Sequence, residues 1–396
     1  RTNTWILDEW YAQAVAGTTG GYTGENEMFA WGTNINGALG QNQSPGTVGF
    51  RSSPIQVAGT IWNYLAAARG GAALATYTDG TMRTWGDNGN GELGHNNRTD
   101  YSSPKLVPGT TWNKVANYGD GPNTAFATKT DGTLWAWGYN GNGALGLNQY
   151  GPNSRKSSPT QVGTDTTWDK IAASKFTLAT KTDGTLWGMG DNSLGALGQN
   201  YAGGTDNSNR SSPVQIPGTT WDQINASVYY TLATKTDGSL WVWGADTSGS
   251  MGLNQTESAS QRSSPTQIGG DSNWSDIGAG IYLSAGVKTD GTLWVWGSNN
   301  EGQLGQNDKT NRSSPTQVGS GTDWSQVEVP KSTIQAVKTD GTLWQWGSND
   351  EGVMGINIGG PSGRRSSPIQ IGSETGWNLE NSHNTDNQFV MVRIVK

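Results

Sequence analysis

Residues 177–189 show a pattern that the rest of the chain repeats. Two short β-prone runs, Thr177–Lys181 and Thr185–Met189, flank Asp183-Gly184. An Asp-Gly pair between such runs predicts an antiparallel hairpin, because glycine accepts the positive φ of a tight turn. Pro159–Val162 reads as a third strand, with proline at its start, where a missing N–H does least harm. Trp168 to Ile171 reads as a fourth. No segment sustains an apolar period of 3.6 residues, so helix should be scarce.

The unit recurs in register. Trp-Gly or its equivalent falls at Trp31, Trp85, Trp137, Met189, Trp243, Trp296 and Trp346, in steps of 50 to 54 residues. Each is followed by a glycine-rich frame, Gly-x-Asn-x-x-Gly-x-Leu-Gly-x-Asn, as at Gly297, Asn299, Gly302, Leu304, Gly305 and Asn307. Ser-Ser-Pro and then a lone Trp follow in every copy, and Thr-Asp-Gly closes six of them. Four short strands per repeat, seven times over, predict an all-β fold: a seven-bladed β-propeller of four-stranded antiparallel blades.

Both ends imitate the two strands that precede a Trp-Gly strand. Trp10–Val15 with Gly21–Glu25 does so at the start, and Trp377 with Phe389–Lys396 at the end. The C-terminal run is the better strand by composition and is expected to close the ring. Residues 1–20 then form an N-terminal arm or the stub of a missing domain, and 21–396 the propeller.

Composition narrows the class. There are 59 Gly and 20 Trp, and charged residues are only 14%. The net charge of −7 is modest, and the Trp side chains need burial, so disorder does not fit. Zero Cys removes disulfides and thiolate chemistry. Two His, His95 and His383, leave little for histidine catalysis or zinc. His95 reads as tolerated surface and His383 as loop. No apolar run reaches about 18 residues, so membrane insertion is not expected. The acidic balance argues against nucleic acid as a partner.

The run Asp-Gly-Thr-Leu-Trp-x-Trp-Gly-x-Asn-x-x-Gly-x-Leu-Gly, seen whole from Asp131 to Gly146, resembles the regulator-of-chromosome-condensation repeat. The resemblance covers roughly residues 10–396 and implies a propeller. It implies little about activity, since that family includes a nucleotide-exchange factor for a nuclear GTPase, inhibitors of β-lactamases and bacterial and phage proteins. The family often carries His before the second strand. Here those positions are Ala72, Thr124, Phe176, Tyr230, Leu283 and Thr333. No inserted hairpin is long enough to act as a wedge into a GTPase.

The repeat filters candidate chemistry, because a residue present in every blade serves the blade. The aspartates of Thr-Asp-Gly read as turn formers and the frame asparagines as loop residues bonding nearby backbone. The basic residue before Ser-Ser-Pro (Arg51, Lys156, Arg210, Arg262, Arg312, Arg365) reads as a repeated salt bridge or stacking group. No catalytic constellation, cofactor or metal is expected. Alternate connections of antiparallel strands lie on the same face. One face therefore carries monotonous turns, and the other carries connections that vary in length and content. On that variable face Phe50, Tyr101, Tyr150, Arg155, Lys156, Lys175, Tyr201, Tyr229 and Arg364 are the candidate binding residues, since loops on a rigid scaffold carry recognition and Tyr and Arg are enriched in hot spots.

The reading is a non-catalytic structural or recognition protein of a virion or cell surface, from a phage or a bacterium, binding a protein or surface glycan and able to join a larger complex. A regulator or inhibitor that binds a GTPase or enzyme is the alternative, and a carbohydrate-binding module a further one.

Overall fold

The computed structural model describes residues 26–43, 49–59, 61–68, 71–119, 123–200, 208–255, 261–350, 352–379, 382–384 and 389–394. The expected N-terminal arm and Gly21–Glu25 lie outside the described residues. Strands dominate; the helical pieces are single 3-10 turns such as Pro152–Ser154 and Pro361–Gly363. No helix among the described residues is long and apolar enough to cross a membrane.

The hairpin read from Asp183-Gly184 is present. Phe176–Lys181 pairs with Leu186–Gly190 in antiparallel register, Leu178 facing Gly188. Trp168–Ala173 adds on one side and Arg210–Ile216 on the other. The expectation of seven four-stranded antiparallel blades is corrected. Among the described residues six sheets have that form. The remaining sheet has five strands, because Ser382–Asn384 pairs in parallel with Trp62–Ala67. That places His383 in a strand, not the expected loop. The physical reason is an open edge. The first strand of each sheet faces the axis with one row of backbone groups unpaired, and the long connection after Trp377–Asn378 crosses to the neighbouring sheet and covers part of that row.

Ring closure runs through the C-terminal strand. Phe389–Ile394 pairs antiparallel with Glu27–Thr33, Glu27 facing Ile394 and Gly32 facing Phe389. The first strands of successive sheets enclose a polar central channel of about 480 Å³, lined by Tyr64, Lys114, Lys170, Gln223, Asp276 and Gln326 among others. Lys114 pairs with Asp169, and Lys170 with Asp222 at 2.6 Å, so these cations tie one sheet to the next.

Neighbouring sheets meet at the glycine-rich frame. The Trp of Trp-Gly is fully buried, and in five sheets it donates its indole N–H to a frame carbonyl of the preceding sheet: Trp85 to Ala38 at 2.8 Å, Trp137 to Glu92 at 2.6 Å, Trp243 to Ala196 at 2.7 Å, Trp296 to Ser250 at 2.9 Å and Trp31 to Val353 at 2.6 Å, whereas the Trp346 indole N–H is buried without a hydrogen-bond partner among the described residues. Burying about 200 Å² of indole is worth roughly 5 kcal/mol of transfer free energy at ~25 cal/mol per Å². Met189 has no N–H to give, and there the Thr177 hydroxyl donates to the Ala144 carbonyl at 3.0 Å. The last frame asparagine adopts positive φ, 57° at Asn307, and its N–H donates to the first serine carbonyl of the next Ser-Ser-Pro. This bond recurs from Asn42 to Ser102 (2.7 Å) round to Asn357 and Ser52 (2.7 Å). The frame asparagine before it accepts from backbone, as Asn299 does from Leu304 N–H at 2.8 Å, in line with its reading as a backbone-bonding loop residue.

The Asp-Gly turns are built by one carboxylate oxygen. Asp183 Oδ1 accepts the N–H (2.9 Å) and hydroxyl (2.7 Å) of Thr185, whose oxygen accepts the Trp187 indole N–H at 2.9 Å. Those hydrogen bonds, the hydroxyl's first, hold the Asp183 carboxyl below its ordinary range. The same holds for Asp79, Asp131, Asp237, Asp290 and Asp340.

Two outcomes follow. Gly302 has φ +82°, and a Cβ there would meet Ser366 Cβ at 2.6 Å, whereas Gly319 has φ +59° and open space around it. Gly319→Ala should cost about 1 kcal/mol for the left-handed backbone alone. Gly302→Ala should cost at least about 2 kcal/mol more, through displacement at the seam. Denaturant midpoints of the two variants test this; equal losses would remove the seam from the account. For the turns, lowered folded pKa values mean stability that is full above pH about 4 and lost as pH falls through the folded value. Asp183→Ala should therefore lower the melting temperature slightly at pH 7, with the gap to wild type closing near pH 2. A gap that stays constant with pH would contradict the hydrogen-bonded carboxylate.

Candidate functional site

Strand order gives the two faces. The first-to-second and third-to-fourth connections of each sheet open on the frame face. The Asp-Gly turns and the links between sheets open on the turn face. Eight of the nine candidate residues lie among the described residues and belong to the frame face, where the structure divides them into an outer rim and a central mouth. Tyr201 lies outside the described residues.

On the rim several candidates are engaged by their own surroundings. Arg364 bridges two frames, with Glu301 and Asp350 each 2.8 Å from its guanidinium. Those carboxylates, Asp350 first, hold its proton more firmly than usual. Tyr101 accepts the Asn97 amide N–H at 3.1 Å and lies under the Lys105 ammonium, 3.8 Å from the ring centroid. Its hydroxyl is pulled below the usual range by the Lys105 contact first. His95 meets Tyr101 edge-on and lies 2.9 Å from the Thr84 hydroxyl. Burial lowers its pKa to about 4, with Lys105 adding to the effect. The expectation of a tolerated surface histidine is thus corrected: its ring packs inside a small cluster. Arg155 sits over the Tyr139 ring at 5.3 Å. Phe50 is half exposed and flanks Gly359 of the neighbouring frame. Tyr150 is the most open, 77% exposed. Lys156 is half-buried at the start of its strand.

The central mouth brings other candidates together. Lys175 Nζ lies 5.8 Å from the Tyr229 ring centroid, and Tyr229 stacks on Tyr282 with centroids 5.7 Å apart and planes at 28°. Beneath them Val228, Ile281 and Tyr118 are buried in one apolar cluster. They narrow the channel at this end to a cavity of about 20 Å³, which Ser174 and Lys331 also line. The Ser174 hydroxyl is buried without a hydrogen-bond partner among the described residues. Lys331 holds φ 53°, and its carbonyl accepts the Ile281 N–H at 3.2 Å. Lys175 and Tyr229 were legible as single-copy loop residues. Tyr282 was not singled out, although it holds the same offset before its strand as Tyr229 and Lys175.

The repeated basic position is also resolved. Arg312 pairs with Asp308 at 2.6 Å. Arg262 donates to the Gln255 side chain and the Gln261 carbonyl, and Arg365 to the carbonyls of Ser362 and Arg364. A salt bridge is therefore not what repeats. What repeats near lysine is on the turn face: Lys129, Lys181, Lys235, Lys288 and Lys338 each lie 4.2–4.9 Å from the centroids of two Trp rings. Such desolvated cation–π contacts are worth on the order of 1–2 kcal/mol each. A single-copy acid, Glu92, is buried at a seam where other frames carry Ala, Ser, Gln or Val. The Asn123 amide donates to it and to Asp87. Burial raises the Glu92 pKa to about 8, so it keeps its proton at neutral pH. No group of three or more metal-ligating side chains occurs among the described residues.

The comparisons with known proteins agree with this architecture. The RCC1-like domain matches residues 12–319. The E3 ubiquitin-protein ligase HERC2 of Homo sapiens is 26% identical over 295 residues, 73% of this chain but 6% of HERC2. The mitochondrial RCC1 domain-containing protein RUG3 of Arabidopsis thaliana is 30% identical over 300 residues, 72% of this chain and 64% of RUG3. The chain thus spans less than two thirds of either relative. Yeast RCC1 (Prp20), solved with Kap60 bound, superposes with a TM-score of 0.78 at 17% identity, covering 94% of this chain and 90% of that one. At that identity the likeness concerns the fold. With a family match over most of its length and the frame-to-Trp seam repeated around the ring, the chain belongs to the RCC1-like domain family.

Proposed function

We propose that this chain is a recognition module of the regulator type, binding a protein partner through its frame face and carrying out no chemistry of its own. The observation that carries the reading is the central mouth: Lys175, Tyr229 and Tyr282 stand side by side on consecutive sheets above an apolar floor. Tyrosines over a packed apolar centre are what protein hot spots use, and Lys175 adds a charge beside them. The floor is rigid because the seam fixes each sheet against the next, so little ordering entropy is lost on docking. The relatives favour this alternative over the virion or cell-surface role that composition suggested: HERC2 is a ligase by name, and Prp20 is seen bound to another protein. A protein suits the mouth better than a glycan, since charge stands beside the stacked rings.

The triple change Lys175→Ala, Tyr229→Ala, Tyr282→Ala should abolish retention of a partner that the wild-type chain holds. Each hot-spot loss costs about 2 kcal/mol, roughly thirtyfold in Kd. Thr166→Ala with Thr219→Ala, on the turn face, should leave binding unchanged. Circular dichroism of both variants guards against unfolding. Equal binding by the folded triple variant would end the frame-face reading.

A further inference from the structure

The net charge of −7 hides a separation of charge between the two faces. On the turn face the anions are outside and the cations inside. Asp79, Asp131, Asp183, Asp237, Asp290 and Asp340 are exposed at the six turns. Each uses one oxygen in its own turn, as Asp183 does, and accepts the turn's N–H and hydroxyl with that oxygen alone. The lysines of the same face are drawn back between indoles. Lys181 and Lys288 have side chains only 11% and 9% exposed, while their partners Asp165 and Asp271 are 57% and 59% exposed. A protein or ion approaching this face meets carboxylates first.

The frame face has the opposite arrangement. The basic residue before Ser-Ser-Pro stands at the frame-face end of six of the seven outer strands, in Arg51, Lys156, Arg210, Arg262, Arg312 and Arg365, with Tyr101 in the other. Arg262 and Arg365 are held by neutral acceptors, which fix the guanidinium without cancelling its charge. Several acids of this face are spent, while Asp87, Asp100 and Asp191 accept only neutral N–H groups among the described residues and keep their charge on it. Glu301 and Asp350 share Arg364, Asp308 takes Arg312, Asp246 is buried, and buried Glu92 keeps its proton. Lys175 and Lys331 add charge at the centre, with no ion pair among the described residues.

We infer that the frame face docks a protein through an acidic surface, its rim cations and its Lys175–Tyr229–Tyr282 mouth facing carboxylates on the partner. This rests on the proposed frame-face recognition and names the chemistry of the partner. Charge of one sign gathered on one face steers encounter and rejects like-charged partners. At physiological salt the screening length is about 8 Å, so the effect acts near contact and not across the disc. An acidic protein fits better than a nucleic acid because the rim cations come singly on six of the seven sheets, interleaved with the carboxylates of Asp191, Glu301 and Asp350, and do not form a continuous track for phosphates.

The test uses the full chain with fluorescent poly-L-glutamate and a 20-base-pair duplex DNA as probes, read by anisotropy at about 50 and 200 mM salt. Poly-L-glutamate should bind, more tightly than the duplex, and weaken severalfold at the higher salt. The variant Arg262→Glu, Lys331→Glu, Arg365→Glu should weaken it at least tenfold, while neutral Thr166→Ala with Thr219→Ala should not. No binding of poly-L-glutamate, tighter binding of the duplex, or full binding by the folded charge-reversal variant would each overturn the inference. The mouth's alanine variant separates the two ideas. If it loses a partner that poly-L-glutamate neither mimics nor displaces, frame-face recognition stands and the acidic partner falls.

Discussion

Everything in this structure depends on how closely one sheet's glycine-rich connection can lie against the next sheet. A side chain at Gly302 would overlap Ser366, and one at Gly305 would sit 2.8 Å from the Trp346 indole nitrogen. Only glycine lets the frame reach that distance. Once there, it satisfies two buried groups at a stroke: a frame carbonyl accepts an indole N–H, and a left-handed asparagine gives its N–H to the serine carbonyl. A buried indole N–H or amide without a partner costs more than the bond returns, so satisfying both groups favours the closed seam; the Trp346 indole N–H, buried without a partner among the described residues, is the exception. This is why the frame is so uniform along the chain, and why the connections just beyond it are free to differ.

Much of this was written in the sequence, and for a physical reason. Hairpins, strand starts and the family motif depend on neighbours within a few residues, so Asp183-Gly184 or Ser211-Ser212-Pro213 announces itself locally. The fifth strand did not. Ser382–Asn384 has no strand-like pattern of its own and is defined by an open edge on Trp62–Ala67, more than 300 residues away in sequence. The lysine before five of the six Thr-Asp-Gly copies carries no local signal of its role either, and only the packing shows its ammonium lodged between two indoles. Tyr282 escaped because a site formed across sheets is invisible until the sheets are side by side. The repeat itself would have pointed to it, had offsets before the second strand been compared copy by copy.

The same economy produces the two faces. Turn chemistry fixes an exposed carboxylate at each Asp-Gly and withdraws the adjacent lysine into the tryptophans. Strand entry places a cation at the opposite end of the outer strand. Neither feature needs a partner to explain it, yet repetition around a ring adds them in phase. A scaffold built for stability thus carries a polarised surface, and the single-copy Lys175, Tyr229 and Tyr282 stand at its centre. Recognition here is a small set of substitutions placed on top of a repeated electrostatic background.

The claim that the seam holds the ring as one unit is tested most directly by native-state hydrogen exchange at the seam amides. The N–H groups of Asn42, Asn96, Asn148, Asn254, Asn307 and Asn357 each donate across a boundary between sheets. If the seam is the shared constraint, these amides exchange together, at a free energy matching the global unfolding of the strand cores. Exchange of the boundary amides one by one, well below the global value, would show that sheets part independently and would contradict the account.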